Sequence, residues 1–505
     1  MRSFVVRVDP EMSGRLPRQR TENGNMAELT DQQVDQIARR LMQRLAPAAA
    51  PSATSGASAS AAAKTSGVFA DLDAAVQAAA QAFQALDAMS LAIRDKIIAG
   101  IRETALASAE SLAREAHAET GFGRWEDKLV KNRLVARKTP GTEALVPEAR
   151  SGDNGLMLME RAPFGVIAAL TPSTNPTSTI VCNTIGMVAA GNAVVFGVHP
   201  SARRVCLRTV SLINDAIVRA GGPPNLVTTL AEPTIASAQA MMKHPGIRLL
   251  VVTGGGAVVQ AAMQSGKRAI CAGPGNPPVV VDETADLALA GPGIVRGGSF
   301  DNNVICTDEK EVFVVESVAD DLLAAMKQNG AVVLDAAQTR QMENVIFKER
   351  HGPWAAGVVN KDLIGKNAGL ILGLIGITAG DDVRLAVMDV QASHPLVWTE
   401  QLMPVMPVVR VANVDEAIDR AVASEHGHRH TAAMYSRNID KLSRMARLCN
   451  CSVFVKNGPT YSGLGEGGEG YSSLTIASPT GEGLTGPRAF SRERRCVLVD
   501  QFRII

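Results

Sequence analysis

Seven cysteines are scattered along this 505-residue chain, and one of them has a setting suited to nucleophilic chemistry. Cys306 ends the run Ser299-Phe300-Asp301-Asn302-Asn303-Val304-Ile305-Cys306. Gly297 and Gly298, just upstream, let backbones approach closely. Small polar residues follow, then an apolar pair that holds the thiol in place. A free thiol titrates near ~8.5, so a nucleophile at neutral pH needs a donor or positive group beside it. A lone cysteine is otherwise a small buried hydrophobe. What lies elsewhere in the chain favours the nucleophile.

A second feature is the apolar run Leu249–Thr253, which passes into Gly254-Gly255-Gly256 and then a helical segment from about Ala257. Glycines between a strand and a helix start leave backbone N–H groups open to a phosphate, and the helix dipole adds attraction. Three glycines also make an ordinary tight turn. The acidic residue about twenty positions on that usually holds a ribose is missing, since Ala272, Gly273 and Pro274 stand there. A dinucleotide would therefore not be held in the ordinary Rossmann manner. The segment Glu425-His426-Gly427-His428-Arg429-His430-Thr431 carries three alternate histidines, but no carboxylate or cysteine completes a ligand set. It is read as no metal site.

A chain of this length is expected to form two or three domains, and its 46% apolar residues suffice for large cores. The net charge of +1 offers no electrostatic case for nucleic acid or an anionic membrane. An odd, scattered set of cysteines without a CxxC pair suits a reducing cytoplasm. No apolar run reaches the ~18 residues of a membrane span; Val181–Val198 comes nearest and is broken by Asn183, Thr184, Gly186, Gly191 and Asn192. Arg7 and Asp9 argue against a signal peptide.

The elements that would position these residues alternate along the chain. Val68–Glu119 reads as alanine-rich helices. Strands are expected at Val166–Leu170, Ala193–Val198, Leu226–Leu230, Leu249–Thr253 and Val279–Asp282, all continuous apolar runs of a covered parallel sheet. The alternation implies a doubly wound α/β domain. A second unit follows, with strands expected at Glu311–Val315, Val332–Leu334, Val405–Val411, Ala432–Tyr435 and Ser452–Lys456, and a closing strand at Val497–Val499.

The N-terminal part is organised differently. Residues 1–25 read as an irregular tail. In 26–46, Thr30 and Gln33 form a capping box and Leu29 and Val34 a hydrophobic staple. Val34, Ile37, Ala38, Leu41, Met42 and Leu45 make one apolar stripe, and Pro47 ends the helix. Residues 47–67 are almost wholly Ala, Ser, Pro, Gly and Thr, a flexible linker. A short tethered amphipathic helix must bury its stripe against something, and this one resembles the encapsulation peptides that direct enzymes into bacterial microcompartments.

Thr171-Pro172-Ser173-Thr174-Asn175-Pro176, Gly191-Asn192-Ala193, His199-Pro200-Ser201, Thr253-Gly254-Gly255, Cys306 and Glu400-Gln401-Leu402-Met403-Pro404 together resemble the aldehyde dehydrogenase superfamily over nearly all of 68–505. Phe300-Asp301-Asn302-Asn303-Val304-Ile305-Cys306 and Thr480-Gly481-Glu482-Gly483-Leu484-Thr485-Gly486-Pro487-Arg488 resemble its CoA-acylating branch, and the N-terminal helix is similar to those of microcompartment propionaldehyde dehydrogenases of 1,2-propanediol utilisation. The resemblance implies two doubly wound α/β domains, a dinucleotide-binding domain over 68–286 and a catalytic domain over 287–460. It also implies a return to the cofactor domain over 461–505, and a small oligomerisation β-extension formed by 155–162 with the last strand.

It further implies that Cys306 attacks a short aliphatic aldehyde, with propionaldehyde favoured. Asn175 and the backbone N–H of Cys306 would form the oxyanion hole, and His430 would help deprotonate a thiol. Thr171, Pro172, His199, Pro200, Ser201, Thr253, Gly254, Gly255 and Glu400 would line the site of NAD, with NADP use allowed because Ala202 replaces the usual ribose-binding glutamate and Arg203 and Arg204 lie close. Hydrolytic relatives carry a general-base glutamate where this chain has Cys271-Ala272-Gly273-Pro274. Without that base, water attack on an acyl-enzyme loses ~10²–10⁴-fold, and coenzyme A becomes the acyl acceptor. The implied partners are the aldehyde, coenzyme A, a shell protein that takes 26–46, and further copies of the chain in a homodimer or homotetramer. The implied location is cytoplasmic, inside a microcompartment.

Overall fold

The computed structural model describes residues 66–500 and 502–504. The tail 1–25, the amphipathic segment 26–46 and all of the linker 47–67 but its last two residues lie outside that range.

Two parallel sheets carry the fold. The first has six strands in the order Val68–Phe69, Val227–Leu230, Ala193–Gly197, Val166–Leu170, Leu249–Thr253 and Ala269–Ala272. Its central strands are buried on both faces, as their unbroken apolar composition requires. The helix Pro176–Ala189 is buried at all of its residues. Helices Leu72–Asp87, Leu91–Ala107, Ala109–Thr120 and Trp125–Lys138 precede the sheet's second strand in sequence, the first opened by Asp71 accepting from Ala74 N at 2.8 Å.

The second sheet has seven strands, in the order Ala331–Leu334, Leu385–Asp389, Val405–Val411, Glu311–Val315, Pro278–Val281, Thr431–Tyr435 and Val453–Lys456. One expectation fails here. The strand expected at 279–282 as the end of the first unit lies inside the second sheet, with Val279 paired to Val312 and Ala433. The chain therefore leaves the first sheet after Ala272, not near 286. An apolar run shows that a strand is buried, but not which sheet buries it. Strands Ala269–Ala272 and Leu385–Asp389 were not anticipated, being short and poor in β-branched residues.

The third sheet is antiparallel. Gly155–Pro163 pairs with Glu148–Gly152 on one side and Ser491–Val499 on the other. The closing strand is thus longer than the three residues expected. Leu464, Leu474, Ile476, Ala477 and Phe490 return to the core of the first sheet. Among the described residues no helix is long and apolar enough to cross a membrane.

Candidate active site

A cavity of about 920 Å³ opens at the carboxyl ends of the first sheet's strands, where ligands of open α/β sheets sit. Thr171 and Pro172 follow the strand Val166–Leu170, His199 and Pro200 follow Ala193–Gly197, and Thr253 ends Leu249–Thr253. Asn175, Gly254, Gly255, Cys306 and Glu400 line the same space. Ser201 and His430 do not. Ser201 sits on an exposed turn, its Oγ 2.8 Å from His199 Nδ1.

The nucleophile loop is built from buried charge. From Asp301 to Glu311, Cys306 alone is not buried. Asp301, Asn302 and Asn303 all take left-handed backbone (φ 45°, 55° and 66°), a conformation costly for residues with a Cβ. Side chains hold it there. Asn303 Nδ2 donates to the carbonyls of Gly298 and Glu309 at 2.9 and 2.8 Å. Lys310 Nζ donates to Asn303 O, Asn303 Oδ1 and Ile305 O at 2.9, 2.6 and 3.2 Å. The N–H of Ile305 donates to Asp308 Oδ2 at 3.0 Å. Gly297 is needed because a Cβ there would lie 2.1 Å from both carboxylate oxygens of Glu309. Sequence reasoning missed Asp308-Glu309-Lys310-Glu311 altogether: four consecutive charges ordinarily mark a solvated surface.

Although Cys306 faces the cavity, the protein packed around its sulfur desolvates the thiolate and pushes the thiol up to about 12; the Glu400 carboxylate adds to this and Lys310 opposes it. The resting nucleophile is therefore a thiol. Burial likewise raises Glu400 above the usual carboxylate range, against Lys310 and a hydrogen bond from Gly275 N to Oε1 at 3.2 Å.

Asn175 caps the helix Pro176–Ala189 and is buried against a cation that sequence reasoning also missed. Lys131 Nζ donates to Asn175 Oδ1 at 2.5 Å and to Asp301 Oδ2. Lys128 Nζ reaches the same Asp301 oxygen at 2.9 Å. Both lysines are on the helix Trp125–Lys138, one turn apart, and are only 2% exposed.

The remaining lining fits a dinucleotide. Gly255 caps the helix Gly256–Met263, and a Cβ on Gly255 or Gly256 would point into open space, so the backbone there is bare to a ligand. Thr171 Oγ1 is buried at the cavity without a hydrogen-bond partner among the described residues. Ile235, Ala238, Met242 and Val258 supply apolar walls that no motif had marked.

The sequence profile of the aldehyde dehydrogenase family matches residues 51–481. The chain belongs to that family. It is 54% identical over 419 residues to acetaldehyde dehydrogenase (acetylating) EutE of Salmonella typhimurium, covering 82% of this chain and 89% of the relative. The crystal structure of Rhodopseudomonas palustris propionaldehyde dehydrogenase with bound propionyl-CoA matches with a TM-score of 0.84 at 50% identity, over 86% of this chain and 95% of that one. A propionaldehyde dehydrogenase from the fucose utilisation bacterial microcompartment of Clostridium phytofermentans matches with a TM-score of 0.84 at 44% identity, over 87% of this chain and all of that one.

Two residues singled out in the sequence are fully buried and do not line the cavity. Cys271 is fully buried in the core of the first sheet, its N–H donating to Thr480 Oγ1 at 3.0 Å. Burial raises its thiol to about 11, so it is space-filling and offers no base. His430 is also fully buried, and Gly275 separates its ring from the Cys306 backbone. Its Nδ1 lies 2.9 Å from Thr431 Oγ1, while Nε2 has no hydrogen-bond partner among the described residues. Burial drives this imidazole down to about 3, so it is neutral.

The other two histidines of that segment turn away. Positive φ at His426, Gly427 and Arg429 folds the run into a turn, and His426 packs between Trp398 and His428. Among the described residues no group of three or more His, Cys, Asp or Glu could hold a metal ion.

Proposed function

We propose that the protein is a CoA-acylating aldehyde dehydrogenase that converts a short aliphatic aldehyde, NAD and coenzyme A into acyl-CoA and NADH. One observation carries this reading. Cys306 is the accessible thiol of the cavity, and the position of the hydrolytic base holds a buried neutral cysteine.

In this mechanism the thiolate of Cys306 adds to the aldehyde carbonyl to give a thiohemiacetal. Asn175 and the backbone N–H of Cys306 stabilise the developing oxyanion; such donors are commonly worth about 3–4 kcal/mol each. Thr253, Gly254 and Gly255 hold the pyrophosphate, Glu400 the nicotinamide ribose, and Thr171, Pro172, His199, Pro200 and Ser201 the rest of the dinucleotide. When bound, the dinucleotide supplies the hydride acceptor, and a thioester remains on Cys306. The thiol of coenzyme A then displaces Cys306 by exchange. His430 helps deprotonate a thiol in this reading, the supporting feature being a buried Nε2 with no hydrogen-bond partner among the described residues.

NAD is preferred over NADP. Arg203 pairs with Glu232 at 2.7 Å and Arg204 with Glu119 at 3.6 Å, so neither is held ready for a 2′-phosphate. A higher kcat/KM with NADP would overturn this assignment. Two carbons against three is a difference of about 1–3 kcal/mol, and the names of the relatives divide between acetaldehyde and propionaldehyde. The substrate is therefore kept to short aliphatic aldehydes, with propionaldehyde retained from the sequence reading.

Residues 26–46 anchor the enzyme to a shell protein inside a bacterial microcompartment, and the exposed edge of the third sheet joins copies into a dimer or tetramer. Deletion of 1–66 should leave catalysis intact and abolish co-purification with shells. The central test is intact mass after aldehyde plus NAD with no coenzyme A: one acyl group on Cys306 and one NADH per site are expected. Continuous release of free acid at the CoA-supported rate would refute the acylating reading.

A further inference from the structure

The two halves of the site come from different sheets, yet they meet at one cation. Asn175 follows a strand of the first sheet, and Asp301 belongs to the loop that carries Cys306 toward the second. Lys131 Nζ donates to both, to Asn175 Oδ1 at 2.5 Å and to Asp301 Oδ2. A buried ammonium must be paired or pay heavily, and Asp301 supplies the counter-charge; it also accepts from Lys128 Nζ at 2.9 Å and from Arg124 N at 2.7 Å. Asp301's own N–H donates to Asp127 Oδ2 at 2.9 Å, and that carboxylate is held by Arg384 at 2.8 Å. The cation is thus fixed from several sides before it touches Asn175.

A lysine ammonium has donors and no acceptor. Facing Lys131, the Asn175 amide must present its oxygen, which leaves Nδ2 as the half of the group free for a ligand. One Nδ2 hydrogen goes to Thr174 Oγ1 at 3.2 Å; the other has no partner among the described residues. A positive charge on the amide oxygen also polarises the group, and hydrogen bonds in series strengthen one another in a low-dielectric site. We propose that Lys131 is a positioning residue for the reaction: it orients and polarises Asn175 so that Nδ2 donates to the oxyanion. This deepens the proposed reading and rests on Asn175 being the oxyanion donor.

The experiment compares two reactions of Cys306 in the full-length enzyme. Acylation by aldehyde plus NAD passes through an oxyanion, whereas alkylation by iodoacetamide does not. Lys131→Met should slow acylation at least about tenfold, short of the ~10²–10³-fold cost of losing a donor outright, and leave alkylation within about twofold. Lys131→Gln, which keeps a donor, should recover part of the loss. Adding Lys131→Met to Asn175→Ala should cost almost nothing further.

Undiminished acylation in Lys131→Met would overturn the inference. So would alkylation falling in parallel, which would mean loss of the nucleophile loop, or a full additive loss on the Asn175→Ala background. Should Lys131→Met fail to fold, Lys131→Gln in the two backgrounds makes the same comparison. Full-rate acylation in Asn175→Ala alone would instead refute the oxyanion assignment itself, and this inference with it.

Discussion

Gly275 donates its N–H to Glu400 Oε1 at 3.2 Å from a position where no side chain fits. A Cβ on Gly275 would come within 2.6 Å of the Cys306 carbonyl oxygen and 3.0 Å of His430 Cγ. One residue thus spaces the nucleophile, the buried imidazole and the cavity carboxylate. Gly275→Ala is expected to destabilise the protein by about 1–3 kcal/mol, since the atoms it meets include rigid backbone, and to lower NADH formation at least about tenfold. Thermal unfolding and steady-state rates check both, and a fully active, fully stable variant would show the spacing to be slack.

The free enzyme should behave as a weak nucleophile that strengthens steadily with pH. With burial holding the Cys306 thiol near 12, the thiolate fraction grows about tenfold per pH unit across the neutral and mildly alkaline range. Iodoacetamide alkylation followed by mass should climb without a plateau to about pH 10. Glu400 is the second cause of the raised value, so Glu400→Gln should alkylate faster at each pH even as turnover falls. A plateau near pH 8 in the wild type would contradict this account.

What the sequence disclosed and what it concealed separate along a physical line. Strands that are almost wholly apolar, such as Leu249–Thr253 and Val405–Val411, were readable to the residue, because burial on both faces leaves few polar positions. Ten of the twelve proposed site residues share the cavity, since backbone-rich motifs at strand ends carry their chemistry locally. Lys131, Asp301 and Lys310 were not readable as site residues. Their burial is a property of contacts 170 positions apart for Lys131 and Asp301, and in sequence they look like any solvated charge. The placement of Pro278–Val281 was hidden for the same reason, because pairing partners are not written in a strand's composition.

Glu309 should make stability fall as pH rises. Burial raises its carboxyl to about 7 from an ordinary 4.5, against hydrogen bonds from Thr460. Between those values the folded state holds a proton that the unfolded chain releases, so stability drops as pH climbs from about 4.5 to about 7, by up to about 3 kcal/mol. Glu309→Gln should remove that share: its denaturant midpoint relative to wild type should rise between about pH 4.5 and pH 7. A wild-type-minus-variant difference that stays flat over this range would exclude the assignment.

Among the described residues the closing strand Ser491–Val499 is paired on one side only, by Gly155–Pro163. Val497, Leu498 and Val499 are 56%, 45% and 63% exposed, so apolar side chains stand on both faces beside a row of open backbone groups. An edge of this kind invites another strand unless charge or proline blunts it, and Arg492, Glu493, Arg494 and Arg495 blunt only its first half. The second half is therefore the segment through which the proposed dimer or tetramer would join its copies. Val497→Asp with Val499→Asp places two carboxylates on one face of that segment and should shift the protein to monomer in light scattering, with the thermal midpoint lowered as the interface is lost. A double variant with unchanged mass would move the interface elsewhere on the surface.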